Sequence, residues 1–156
     1  MTEYFTEAIV LDKLPQKEQD ARVVLYTQEL GKVTAKVKSA RKITSKLNGH
    51  LEPLNIVKIR IIEKGGLQAV DALTVRKLPV SQLPVLALVN ELTGEWEPDP
   101  ILWTAVTNER MDQAQLLRIL GFDSTFAACG LCERKENLQF STIALNYFCG
   151  DCYTRE

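Results

Sequence analysis

A small β-barrel, then a short α-helical region, then a four-cysteine module is the architecture the sequence predicts. Three observations carry it: two-residue alternation through the first 77 residues, helical spacing after Leu78, and two Cys-x2-Cys knuckles near the end. At 156 residues, with 46% hydrophobic and 25% charged side chains, the chain can bury one good core, or a barrel with a smaller module beside it. The expected boundaries are 1–78 for the barrel, 79–127 for the helical region and 128–156 for the cysteine module.

Five strands are expected in the first part. "FTEAIVLDKL" reads as the first, and "ARVVLYTQ" and "KVTAKVKS" follow, joined by a tight turn at "ELG". In the third, Val33, Ala35 and Val37 alternate with Lys32, Thr34, Lys36 and Lys38, the period of a half-buried strand. "LNIVKIRIIEK" sets Val57, Ile59 and Ile61 against Ile56, Lys58 and Arg60, and Gly65-Gly66 supplies a hairpin turn into "LQAVDALTVRK". Closure is expected because five strands in an open sheet would leave two unprotected edges. The only aromatics in this part, Tyr4, Phe5 and Tyr26, are expected in the core.

Pro79 and Pro84 then punctuate a change of period. "LPVLALVNELTGEW" and "PDPILWTAVTNERM" place apolar residues at helical spacing, and "DQAQLLRILGF" reads as a short helix stopped at Gly121. Trp96 and Trp103 are expected to serve as core.

Net charge is −1, but it divides unevenly. Residues 1–80 hold 14 Lys+Arg against 9 Asp+Glu, whereas 81–156 hold 5 against 11. The sharpest part is residues 31–50, where Lys32, Lys36, Lys38, Arg41, Lys42 and Lys46 occur with His50 and no acid. Such a run is ordinarily a solvated face. On a strand and the loop after it, in a small barrel, it also suits a track for a nucleic-acid backbone, with phosphate neutralisation as the mechanism.

All four cysteines fall in "CGLCERKENLQFSTIALNYFCGDC". Cys129-x2-Cys132 and Cys149-x2-Cys152 have the spacing of a four-cysteine zinc site, and the segment between them can form a hairpin that returns the second knuckle to the first. Disulfides are disfavoured by the lack of a secretory signal, and a redox-active Cys-x2-Cys ordinarily occurs once. Four thiolates can also hold a single iron, so spacing alone leaves zinc and iron both open. Four protein ligands leave no position for substrate, which makes the ion structural.

Catalytic constellations are not evident in the sequence. His50 is the single histidine, there is no phosphate-cradling glycine loop, and no carboxylate pair stands out from Glu95, Glu97 and Asp99. A non-enzyme is expected. The N-terminus lacks a basic start and apolar run, and no stretch approaches about 18 consecutive apolar residues, so a cytoplasmic protein is expected.

Residues 4–77, with "LYT" followed by "GK" and a basic stretch running into "LNGHLEP", and residues 114–152, with "LLRILGF" ahead of the two knuckles, resemble the RecO family of bacterial recombination mediators. The resemblance implies an N-terminal OB-fold and a zinc-ribbon-like module. It also implies non-specific binding of single- and double-stranded DNA, strand annealing, and RecA loading with partners such as a RecR-like protein. Family members are usually longer, and this chain stops four residues after Cys152. A shortened helical domain is therefore expected. Residues 81–128 hold only Arg110 and Arg118 as cations against seven acids, so weak or absent binding of the acidic, apolar-ended tail of single-strand binding protein (SSB) is expected as well. A zinc-ribbon interaction module of the transcription or translation machinery is the alternative reading.

Overall fold

The computed structural model describes residues 1–17, 19–38 and 46–153. The chain divides into two compact units, Met1–Met111 and Asp112–Glu156. The segment read as one helical region is thus shared between them.

The first unit is built on five strands: β1 (Thr2–Pro15), β2 (Ala21–Thr27), β3 (Gly31–Val37), β4 (Asn55–Glu63) and β5 (Leu67–Lys77). They close into a barrel in the order β1-β2-β3-β5-β4, with β4 returning to β1. All contacts are antiparallel except β3 with β5, which touch in parallel at Lys36 and Gln68. This is the five-stranded Greek-key arrangement of an OB-fold.

Closure rests on the length of β1. Residues 2–9 pair with β4 and residues 8–15 with β2, so Ala8 and Ile9 have strand partners on both sides. A register shift between Val10 and Asp12 bends the strand between its two ladders. At that bend the Leu54 amide donates to the Val10 carbonyl at 3.2 Å, and Leu78 donates to Leu54 at 2.9 Å, which ties the entry to β4 and the exit from β5 to the same point.

Alternation works as read. Val23, Leu25, Val33, Ala35, Val37, Val57, Ile59 and Ile61 face inward with Ala8, Val10, Ala69 and Ala72. Leu51, fully buried, adds a side chain to this core from the segment before β4. That segment is held by Lys13, whose Nζ donates to the Asn48 carbonyl (3.2 Å), Asn48 Oδ1 (2.5 Å) and Glu52 Oε1 (2.7 Å). His50 helps too: its Nδ1 accepts from the Thr74 amide at 3.1 Å and lies 2.8 Å from Thr74 Oγ1.

A single 3-10 turn, Val80–Gln82, leads into α1 (Leu83–Leu92), which buries Val85, Leu86, Leu88 and Val89 and packs on β1. α2 (Pro100–Val106) is capped by Asp99, whose carboxylate accepts from the amides of Ile101 and Leu102. Trp103 stacks on the buried Tyr26 ring at 6.5 Å and 18°.

Two aromatics depart from the expected core. Phe5 is 65% exposed, because the register places it on the outward side of β1 opposite Arg60. Trp96 is 45% exposed and meets Tyr4 edge to face at 6.3 Å. Its amide is engaged instead, donating to the Lys32 carbonyl at 3.0 Å.

In the second unit, α3 (Gln113–Ile119) begins at a reciprocal capping box between Asp112 and Gln115. β6 (Leu138–Ser141) and β7 (Asn146–Cys149) form the expected hairpin, and α4 (Gly150–Tyr153) follows directly. Phe122, Phe140 and Tyr147 make an aromatic cluster, and the Tyr147 hydroxyl donates to the Phe122 carbonyl at 2.6 Å.

Gly31 carries the tightest approach in the first unit. Its φ is +73°, and a Cβ there would lie 2.6–2.8 Å from backbone atoms of Glu97. Gly31→Ala should therefore cost about 3 kcal/mol, from left-handed strain and overpacking together. Gly49→Ala, where a Cβ meets nothing within 4 Å, should cost far less. Urea unfolding of both variants checks the contrast, and equal stability would contradict the close packing of residue 97 over β3.

Candidate nucleic-acid interface and metal centre

The registers gather three chain segments at one mouth of the barrel. Pro15 lies beside Ala21, Ala21 beside Val37, Lys36 beside Gln68, and Leu67 beside Glu63. The β1–β2 turn, the end of β3 and the β4–β5 turn therefore adjoin.

Of the cations read from the sequence, Lys36 and Lys38 stand at this mouth. Lys36 is about half exposed, with its Nζ 3.4 Å from Asp20 Oδ2, and Lys38 is exposed just past the end of β3. Lys46 is exposed at the start of the anchored segment before β4. Arg41 and Lys42 lie outside the described residues.

Lys32 is placed differently. Its Nζ donates to the carbonyls of Asn90 (2.7 Å) and Thr93 (2.5 Å) at the end of α1. There it satisfies carbonyls that a helix terminus leaves without partners, and it complements the negative end of the helix dipole. Its charge is spent within the first unit.

Other cations at the mouth were missed by reading the run 31–50 alone. Arg22 is exposed on β2 directly opposite Lys36, and Lys17 is exposed in the β1–β2 turn. Gln16, Lys17, Asp20 and Lys36 line a surface recess of about 340 Å³. Lys64 is exposed in the β4–β5 turn. Like charges facing each other across a ladder oppose pairing, and an anion between them relieves the cost. The signal was in the sequence: a hairpin that closes on Thr27 and Gly31 brings Arg22 to Lys36 after five steps back along each strand.

A larger surface groove, about 670 Å³, runs over the outer face of β1, β4 and β5. Phe5 and Leu73 are its exposed apolar walls, but Lys58 and Arg60 alternate with Glu7 and Asp71, and Arg60 is bonded to Glu3 at 2.7 Å. It lacks the single-sign field that attracts a phosphate chain.

The four cysteine sulfurs lie within 4.8 Å of one another, with Cys132 and Cys149 at 3.6 Å. Sulfurs about 2.3 Å from a tetrahedral ion sit about 3.8 Å apart, so the donor set suits a thiolate-bound metal. Local backbone geometry builds each knuckle. The Cys129 amide donates to the Arg134 carbonyl (2.7 Å), the Glu133 amide returns to the Cys129 carbonyl (2.9 Å), and Gly130 donates to Tyr147 on β7 (2.9 Å). Cys129, Cys149 and Cys152 are buried, whereas Cys132 is exposed.

Electrostatics favour a cation here. Burial pushes the Cys129 thiol up, but bonds from the amides of Cys149, Cys132 and Leu131 outweigh it and bring the pKa down to about 6. The Cys152 amide likewise holds Cys149 below the usual thiol range. Cys152 is pushed up to about 12, first by its hydrogen bond with Cys149 and then by burial. Adjacent thiols cannot all ionise unaided, and a bound cation removes that conflict. Among the described residues no helix is long and apolar enough to cross a membrane.

Comparison with known proteins supplies the lineage. The family "Recombination protein O N terminal" matches residues 1–78, which span the five barrel strands. Three curated relatives are each named "DNA repair protein RecO". The Myxococcus xanthus protein is 31% identical over 150 residues, covering 86% of this chain and 62% of its own. The Geobacter sulfurreducens protein is 29% identical, covering 81% and 62%. The Thermodesulfovibrio yellowstonii protein is 30% identical over 166 residues, covering 89% and 66%. The chain spans somewhat less than two thirds of the length of these relatives. With the OB-type barrel and the cysteine cluster in place, the match over the barrel and the relatives along most of the chain make this protein a member of the RecO family.

Proposed function

We propose that this protein acts in DNA repair by binding the backbone of single- and double-stranded DNA at the open mouth of its barrel. Strand annealing, and loading of a RecA-type recombinase together with a RecR-like partner, follow as its role within that process. The observation that carries the reading is the cross-strand pair Arg22 and Lys36, flanked by Lys17 and Lys38. This is the face, with the β1–β2 and β4–β5 turns, that OB-folds use for oligonucleotides. Lys46, exposed ahead of β4, adds a further cation, and Arg41 and Lys42, which lie outside the described residues, belong to the proposed set by their place in the sequence.

Charge rather than base stacking dominates, because Tyr26 is buried, Tyr4 is half-buried with Trp96 against its edge, and the exposed Phe5 lies in the mixed-charge groove over β1, β4 and β5. Binding is accordingly sequence-independent, as annealing of any complementary pair requires. The protein works as a binding protein rather than an enzyme: His50, its sole histidine, is occupied in anchoring the segment before β4 to β5. The electrostatic limit on SSB-tail binding stands as part of this proposal.

The cysteine cluster holds zinc as a structural ion. Four thiolates fill its coordination, so the metal fastens the module and takes no part in chemistry. A protein-contact role for this unit, the second reading, is favoured by Ile143 at the hairpin tip, 93% exposed, and Leu131 on the first knuckle, 62% exposed.

Three outcomes are expected. If about four to six phosphates are neutralised, log K for single strands should fall against log salt with a slope of roughly −3 to −4. Arg22→Ala with Lys36→Ala should flatten that slope by about 1.4 and slow annealing, whereas Lys32→Ala should lower the melting temperature and leave the slope in place. An unchanged slope in the double variant would move the interface elsewhere and favour the protein-contact reading.

Elemental analysis of protein purified under reducing conditions should find one zinc per chain and no visible ferric-thiolate absorbance. Cys149→Ser should lose the metal and loosen residues 129–152 while the barrel's circular dichroism persists. Metal-free wild type with the module intact would overturn the zinc assignment.

A further inference from the structure

β3 has partners of two kinds on its β5 side. Among the described residues its ladder with β5 is the single pair Lys36 and Gln68, so β5 forms no ladder with the Gly31–Thr34 half. The connection between α1 and α2 occupies the edge of that half. Glu95 bridges Lys32 in parallel, and Trp96 donates to the Lys32 carbonyl at 3.0 Å. Glu97 passes over Gly31, closely enough that no Cβ fits, and Thr34 Oγ1 donates to Glu95 Oε1 at 3.3 Å. Lys32, the one cation on this half of the strand, is drawn under the strap to the end of α1. Glu95, Glu97 and Asp99 remain exposed.

We infer that this acidic strap is a specificity-determining border: it ends the DNA track on β3 and makes the binding surface one-sided. Thr34 is two residues from Lys36, about 7 Å along the strand. With the Glu95 carboxylate bonded to Thr34, the strap brings negative charge to the neighbouring outward position on β3, where the Debye length of about 8 Å at physiological salt leaves its repulsion of a phosphate beside Lys36 only partly screened. A backbone seated on Arg22 and Lys36 is repelled from the Lys32 end and continues toward the barrel mouth at Lys17 and Lys38. Covering the edge with a neutral segment would protect it from strand pairing equally well. The carboxylates add an electrostatic stop that edge protection does not need.

The inference rests on the proposed DNA binding, and the test separates the two. Glu95→Gln with Glu97→Gln removes two charges while keeping an acceptor for Thr34. Glu7→Gln with Asp71→Asn removes the same net charge from the outer face of β1 and β5. Single-strand binding should tighten about threefold to tenfold in the strap variant. Its salt slope should stay close to that of the wild type, because Lys32 remains bonded at the end of α1 and no further cation is offered to a phosphate. The control should change affinity less than about twofold.

Equal tightening in both pairs would assign the effect to net charge and overturn the border. An unchanged strap variant with a wild-type melting temperature would overturn it as well. If the strap variant unfolds, Glu97→Gln alone, whose carboxylate neighbours Gly94 and not Thr34, supplies the same comparison. Loss of binding on Arg22→Ala with Lys36→Ala, alongside an inert strap, would retain the DNA-binding face and reject only the border. No binding by any form would reject both.

Discussion

The shared strand β1 is the constraint on which the first unit depends. A five-stranded sheet closes only if the strands at its two ends pair with each other, and fourteen residues let β1 pair with β4 along its first part and with β2 along its second. The bend between Val10 and Asp12 is the physical cost of turning one strand through that angle. It is also useful, because the Val10 carbonyl freed by the bend accepts from Leu54. The mouth of the barrel, the floor at Leu51 and the start of α1 all take their positions from that closure. A slip of one residue in either β1 ladder would turn Ala8 and Val10 outward and dismantle the core and the cationic mouth together.

Charge on β3 is arranged against this frame by what each outward side chain can reach. Lys32, Thr34 and Lys36 alternate outward with the same spacing, yet the first meets helix carbonyls, the second a carboxylate on the strap, and the third a carboxylate in the β1–β2 turn. Only Lys36 has a like-charged neighbour across the ladder. Half-exposed ion pairs such as Lys36 with Asp20 contribute little to stability, about 0–1 kcal/mol, so an incoming phosphate can replace the carboxylate at small cost. Two short charged hydrogen bonds from a partly buried ammonium are harder to exchange. The same residue type in the same strand therefore has different roles, set by burial.

This also explains what could be read in advance. The strands, the Gly65-Gly66 turn, the three short helices and the hairpin between the knuckles were legible because each is a local periodicity or a local turn preference. The cysteine centre was legible because spacing alone constrains four thiols. Lys32 and Phe5 were not, since their fates depend on which element lands on the strand's outer face, and alternation says only that they point outward. Trp96 misled for a related reason: a large aromatic is ordinarily a core residue, but here the backbone of residues 95–97 makes the contact with β3 and the ring, 45% exposed, meets Tyr4 edge to face. Arg22 was missed for want of a register, which becomes available once the turn is fixed at Thr27 and Gly31.

The two units also differ in what can hold them folded. Among the described residues the barrel encloses fourteen buried residues in one apolar cluster, whose hydrophobic burial opposes the entropy of ordering its strands. Around the cysteines the cluster consists of Cys129, Phe148, Cys149 and Cys152, with Leu138 at its margin. Three of those five are the ligands themselves. Without a cation their sulfurs form a group of mutually opposed titrations, Cys129 drawn down to about 6 while Cys152 is driven up to about 12. An ion that takes all four as thiolates turns that opposition into four bonds to one centre, so in the proposed zinc form the metal supplies the cohesion that apolar area supplies in the barrel.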